Sequence, residues 1–153
     1  MKTLVAITAA VALAGQAAHA NEIFASQPKT VVTAIQELGY RAAVVSETDG
    51  KRIDSAVGGL NYSIRFYGCD DAGAGCQFLE FTTSFTVEPA VAPEAIAQWN
   101  RDNLFGTAFV DDTGLPNVSY TVTTVGGLTA ENFADVLARW EVTLDSFANA
   151  IGY

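Results

Sequence analysis

Two runs of alternating apolar and polar residues, NYSIRFY at 61–67 and QFLEFTTSF at 77–85, flank the only two cysteines in the chain. Alternation of period two over this length marks a strand with one buried face. Tyr62, Ile64 and Phe66 share a face of the first run; Leu79, Phe81 and Phe85 share a face of the second. The connection, GCDDAGAGC, carries Gly68, Gly73 and Gly75, which let the backbone turn straight back. A hairpin closed near Cys69 and Cys76 is therefore the element around which the rest must fold.

Whether those cysteines pair depends on where the chain is delivered. It opens MKTLVAITAAVALAGQAAHA. Lys2 gives a positive start, Leu4 to Leu13 is a short apolar run, and Ala18-His19-Ala20 has the small-x-small form of a cleavage site. These features predict a secretory signal peptide over residues 1–20, cut after Ala20. The run is too short for a membrane span, no stop-transfer charges follow, and no cysteine stands at the cut to carry a lipid. The mature protein is expected in the periplasm or secreted from a bacterium, with no membrane anchor. Cleavage removes the only histidine, His19, and the only methionine, Met1. It also removes Lys2, one of 8 cations set against 17 acids, so the formal charge moves from −9 to −10. The remaining length, 21–153, predicts one domain with its own core. So acidic a chain, with no basic run, argues against nucleic acid or an anionic membrane as partner.

In an oxidising compartment an even cysteine count predicts a disulfide. Zinc would need four ligands, and residues 21–153 offer two thiols and no imidazole. A redox pair at a helix start is Cys-x-x-Cys, whereas six residues intervene here. A calcium loop needs oxygen ligands at alternate positions, and Asp70-Asp71 is followed by Ala-Gly-Ala-Gly. The expectation is a structural staple, Cys69–Cys76, with no metal and no cofactor.

Residues 26–39, SQPKTVVTAIQELG, predict a helix with Ser26 as N-cap, Pro28 in the first turn and Gly39 at the end. Val31, Ala34, Ile35 and Leu38 fall on one face. RAAVVSE, a TDGK turn and RIDSAV predict a strand, a tight turn and a short extra strand at 52–57. After the cysteine hairpin, VEPAVAP is a break. Residues 93–105, PEAIAQWNRDNLF, predict a second helix opened by Pro93 and Glu94 and followed by Gly106. TAFVD, the turn DTGLP and NVSYTVTTV predict a second hairpin, with Val118, Tyr120 and Val122 on one face. Thr129 then caps a last helix, with Leu128 placed to staple onto Phe133. Phe133, Leu137, Trp140, Leu144, Phe147 and Ile151 recur there at spacings of three and four. VGGL occurs at 57–60 and 125–128 and reads as two Gly-Gly turns. Consecutive hairpins make the sheet antiparallel. The class is α+β: a single domain with an antiparallel sheet of about five strands and flanking helices.

Without histidine after cleavage, Ser-His-Asp and Cys-His catalysis are excluded. No P-loop and no G-x-G-x-x-G is present. Asp112-Thr113-Gly114 matches the aspartic-protease tripeptide, but that chemistry shares a proton between two such aspartates and no second copy exists. Between two strands, Asp-x-Gly is turn chemistry. Asn61-Tyr62-Ser63 and Asn117-Val118-Ser119 are formal glycosylation sequons, read as coincidence in a bacterial chain. Trp99-Asn100-Arg101 is the candidate partner-binding patch, an aromatic anchor beside a fork of donors. The competing reading puts Trp99 in the core, with Asn100 and Arg101 facing water or tying the helix to the sheet.

Gly39-Tyr40, Asp49-Gly50, Phe66 to Cys69 (F-Y-G-C), Trp99 to Arg101 (W-N-R), the D-x-G turn and the V-G-G-L-T entry to the last helix together resemble the YbjN family. These are bacterial proteins classed as sensory-transduction regulators. The resemblance runs from about Thr30 to Phe147, the span of a single domain. It implies a type III secretion chaperone-like fold in the order α-β-β-β-α-β-β-α, often dimeric, that binds protein segments. It supplies no catalytic residue. The expected function is a non-enzymatic exported protein-binding, chaperone-like or regulatory module, acting as a homodimer or on a periplasmic protein partner. The first alternative is a small-ligand binder with an aromatic-lined pocket between sheet and helices. The second is a carboxylate hydrolase, which requires two acids in one cleft with pKa values pushed apart.

Overall fold

The computed structural model describes residues 22–47 and 50–153; the expected signal peptide, its cut after Ala20 and Thr48-Asp49 of the first turn lie outside the described residues. Six strands, β1 (Ala42–Glu47), β2 (Gly50–Val57), β3 (Leu60–Tyr67), β4 (Phe78–Ser84), β5 (Thr107–Val110) and β6 (Pro116–Thr123), make one sheet. Their order is β1-β2-β3-β4-β6-β5, and every neighbouring pair is antiparallel. The class is α+β as expected, with six strands in place of about five.

The additional strand is the short one anticipated at 52–57. It runs the full eight residues of β2, paired with β1 from Gly50 to Ser55 and with β3 from Arg52 to Val57. Its inward positions are Ile53, Ser55 and Val57, all buried. A serine in the middle of that set blurs the alternation in the sequence. Its hydroxyl donates to the Arg41 carbonyl at 2.7 Å, which makes the polar group tolerable inside.

Strand parity decides the core. Tyr62 and Ile64 of β3, Leu79 and Phe81 of β4 and Val118 of β6 point to one side and are buried. Helices α1 (Pro28–Glu37), α2 (Pro93–Asp102) and α3 (Ala130–Ile151) cover that side. Val31, Ile35, Ile96, Trp99, Phe133, Leu137, Trp140, Leu144 and Phe147 join the strands in one hydrophobic cluster. Leu38, expected on the buried face of α1, is exposed beyond the helix end.

The helix ends explain the remaining differences. Ser26 is not the cap of α1; Gln27 occupies that position without a side-chain bond, and Pro28 starts the helix. The Thr30 hydroxyl does the local bonding instead, accepting from the Phe24 N–H at 3.2 Å and donating to the Gln27 carbonyl at 2.8 Å. Helix α2 stops at Asp102 rather than 105, because Asn103 is extended and its side-chain amide bonds back to the Trp99 carbonyl at 2.9 Å. Thr129 caps α3 as expected, accepting from the Asn132 N–H at 3.1 Å. None of the described helices is long and apolar enough to cross a membrane.

The chain segment before α1 is laced to the far end of the fold. Ile23 and Leu128 exchange two backbone bonds, of 2.8 and 3.0 Å, and the Ala25 N–H donates to the Thr124 hydroxyl at 2.9 Å. Ile23 and Ala25 are both buried.

Candidate functional site

The cysteine loop prolongs the β3–β4 ladder. Beyond the last register pair, Tyr67 with Phe78, the Gln77 N–H still donates to the Tyr67 carbonyl at 2.9 Å. Cys69 and Cys76 are joined, with their Cα atoms 3.8 Å apart. The Asp70 carboxylate accepts from the Ala72 and Ala74 N–H groups at 3.0 and 2.8 Å, so the first of the loop's two acids is engaged by its own backbone. No group of three or more His, Cys, Asp or Glu that could hold a metal occurs among the described residues. Closing an eight-residue loop stabilises by about 2.5 kcal/mol in the chain-entropy model. The Cys69→Ser/Cys76→Ser variant should lose about that much in a denaturant titration, and the unreduced wild type should titrate no free thiol. Unchanged unfolding would show that the turn holds without its staple.

The strand positions of opposite parity build a second surface. Register aligns Arg52, Arg65, Glu80 and Thr121 in one row across β2, β3, β4 and β6. The next row is Asp54, Ser63, Thr82, Ser119 and Thr107, reaching β5. A shallow cleft of 730 Å³ lies over these rows, lined by strand and strand-end residues and by no residue of a helix. An antiparallel sheet can leave one face to solvent in this way when that face is polar.

Within the cleft the charges are unequally engaged. Arg52 grips Asp54 with two bonds, of 2.7 and 3.2 Å, and the Ser63 hydroxyl donates to the same carboxylate at 2.9 Å. The Arg52 guanidinium, aided by that hydroxyl, holds the Asp54 carboxyl below the usual carboxylate range. Arg41 donates to the side-chain oxygen of Asn61, a neutral partner. Arg65 stands opposite Glu80 in register yet makes no ion pair with it. Two aromatic rings border the cleft, Tyr67 at 46% and Phe109 at 42% exposure.

The family described as "Putative bacterial sensory transduction regulator" (YbjN) matches residues 27–152. The chain belongs to the YbjN family. A solved structure titled "Crystal structure of YbjN, a putative transcription regulator from E. coli" shares the fold, with a TM-score of 0.58 and 19% identity over 85% of this chain and 91% of that one. No curated protein matches the chain.

In this YbjN-family domain the W-N-R residues point into the fold as well as out of it. Trp99 is buried, its ring 5.2 Å from that of Phe147 and its Nε1 donating to the Ser146 hydroxyl at 3.1 Å. Ser146 in turn donates to Asn103 at 3.0 Å, which bolts α2 to α3. The Asn100 amide meets both backbone groups of Ala108, at 2.9 and 2.8 Å, and so covers part of the free edge of β5. Arg101 is exposed and donates to Gln98 within its own helix.

The D-T-G turn of the YbjN-family domain works through the residue before it. Asp111 accepts from the Thr113 hydroxyl and N–H, the Leu115 N–H and the Asn117 amide, at 2.6 to 3.0 Å. Those donors, the Thr113 hydroxyl foremost, pull its carboxyl from 3.8 down to about 2. A depressed folded pKa adds stability that is complete above the unfolded value and drains away as pH falls from near 4 toward 2. Asp111→Asn should therefore melt lower at neutral pH and show a flatter melting temperature between pH 4 and 2 than the wild type. Parallel acid profiles would remove Asp111 from the account.

Neither acid with a shifted pKa has the raised value that a general acid needs. Asp54 and Asp111 are both held in the ionised form, pushed the same way rather than apart. The layer between sheet and helices, where a small-ligand pocket was anticipated, is filled by the fully buried Phe81, Phe133, Trp140 and Phe147. Arg41, Arg52 and Arg65 were not singled out in the sequence. The signal for two of them was present: Arg52 and Arg65 stand at the strand parity opposite to the buried one, while Arg41 lies one residue before β1.

Proposed function

We propose that this YbjN-family protein is an exported, non-enzymatic module that binds another protein through the open face of its sheet. The observation that carries the reading is the division of the sheet. One face is sealed by three helices, and the other is an open polar cleft bordered by Tyr67 and Phe109. Exposed aromatic side chains beside arginines are the residue types that anchor protein interfaces. The two-layer form with one free face is also what a chaperone-like fold needs in order to hold a segment of a client.

The order of the chain supports export. A cut after Ala20 leaves Ile23 and Ala25, which the core requires, in place. It delivers Cys69 and Cys76 to a compartment where their bond persists. The exported protein should then begin at Asn21 by mass. Trp99 and Asn100 act inside the fold in this reading, so the partner surface moves from the W-N-R patch to the sheet.

A photo-crosslinking residue placed at Thr82, in the middle of the open face, tests the proposal in exporting cells. The same residue at Asn149, on the outer side of α3, is the control. The expected result is a discrete protein adduct from position 82 and none from 149. Adducts from 149 alone, or none from 82, would overturn it.

A further inference from the structure

The described residues hold seven cations in a chain of formal charge −9. Three of them, Arg41, Arg52 and Arg65, line the one cleft of the open face. The three carboxylates there do not balance them functionally. Asp54 is held by Arg52 and Ser63, and Asp111 is engaged by four donors of its own turn. Only Glu80 remains, beside Arg65 and without an ion pair to it. Arg41 donates to the Asn61 oxygen and stands near enough to Asp54 to help hold that carboxyl down, without an ion pair to it. Among the described residues, the Arg41 and Arg65 guanidiniums thus face the cleft without an ion pair, and a guanidinium fork fits a carboxylate in two parallel bonds.

The rest of the surface suits an extended chain. Thr82, Ser119 and Thr121 lie on adjacent strands, and among the described residues their hydroxyls make no side-chain bond. From β2 to β5 the row spans four strand spacings, roughly 19 Å, about the length of six extended residues. Tyr67 and Phe109 stand near opposite ends as apolar contacts.

We infer that the open face takes a short, extended, acidic segment of another protein, with carboxylates held by Arg65 and Arg41 and backbone groups by the hydroxyl row. The inference rests on the reading of this face as the binding surface. A nucleic acid would bring a long phosphate polyanion to an acidic protein whose two available guanidiniums are confined to one cleft, and the repulsion elsewhere disfavours it.

The test is the Thr82 crosslink, mapped by mass spectrometry of the adduct from exporting cells, in the wild type and in Arg65→Gln, Arg65→Lys and Arg101→Gln backgrounds. The expected result is an adduct on a segment carrying several Asp or Glu within about six residues, the length set by the strand spacing. Its yield should fall tenfold or more with Arg65→Gln, recover in part with Arg65→Lys and stay unchanged with Arg101→Gln. Melting curves confirm that each variant is folded, and the composition of the crosslinked segment decides the matter even if Arg65→Gln is not. An adduct on a neutral or basic segment, on a nucleic acid or on a second copy of this chain overturns the inference. So does a yield indifferent to Arg65→Gln. Absence of any adduct removes the proposed function along with it, which separates the two failures.

Discussion

Trp140→Ala should cost about 3 to 5 kcal/mol, whereas Trp140→Phe should cost less than about 1.5 kcal/mol. The indole is fully buried where α3 meets the sheet, its ring 5.7 Å from Tyr62 in an edge-on contact and 5.9 Å from Phe81. Truncation to alanine leaves a cavity that three elements cannot close together. Phenylalanine keeps most of the ring contacts, and it removes a buried N–H that finds no acceptor among the described residues. An unpaired buried donor is itself costly, so its loss offsets part of the lost volume. The neighbouring Tyr62 hydroxyl is similarly placed: burial pushes it up to about 12, with the Ser55 hydroxyl near enough to oppose the shift but not in hydrogen-bond geometry. Urea unfolding of both variants is the check. A phenylalanine variant as unstable as the alanine one would mean that the indole N–H does have a partner.

Gly106→Ala should cost about 2 to 4 kcal/mol, because two penalties act at once. The residue has φ of +81°, a left-handed conformation that a side chain disfavours. A Cβ there would also stand 2.6 Å from Cγ2 of Thr143 and 3.1 Å from the Ser119 carbonyl oxygen. Gly106 is therefore the point where the α2–β5 connection passes between α3 and β6. The compensating test is Gly106→Ala combined with Thr143→Ser, which removes the methyl in the way. It should recover the share due to the Thr143 methyl and leave the conformational one and the approach to the Ser119 carbonyl. No recovery would place the whole cost in the backbone.

What could be read from the sequence was whatever repeats locally. The inward sets of β3 and β4, the stripe of α3, the start of α2 at Pro93 and the Thr129 cap of α3 follow from local sequence, and they match the structure. Features that depend on distant partners were not legible. Ser55 interrupts an inward set because a carbonyl 14 residues away receives its proton. Helix α2 ends early through the Asn103 side chain, which also meets Ser146 on α3. The arginines of the open face are the clearest case. They form no basic run in the sequence, and 13 positions separate Arg52 from Arg65, yet the β2–β3 register makes them direct neighbours. Composition therefore reported an acidic chain, and the sheet gathered three of its arginines into one cleft beside three carboxylates.

Hydroxyl-radical footprinting in the native compartment tests the central claim most directly, because the protein carries its own control. Tyr67 and Phe109 border the open face, while Leu104 and Val142, at 87% and 69% exposure, lie together on the helical side. Relative to the purified protein, labelling of Tyr67 and Phe109 should drop in the native compartment, and that of Leu104 and Val142 should not change. Protection of Leu104 and Val142 with Tyr67 and Phe109 fully labelled would contradict the account and place the partner on the helices.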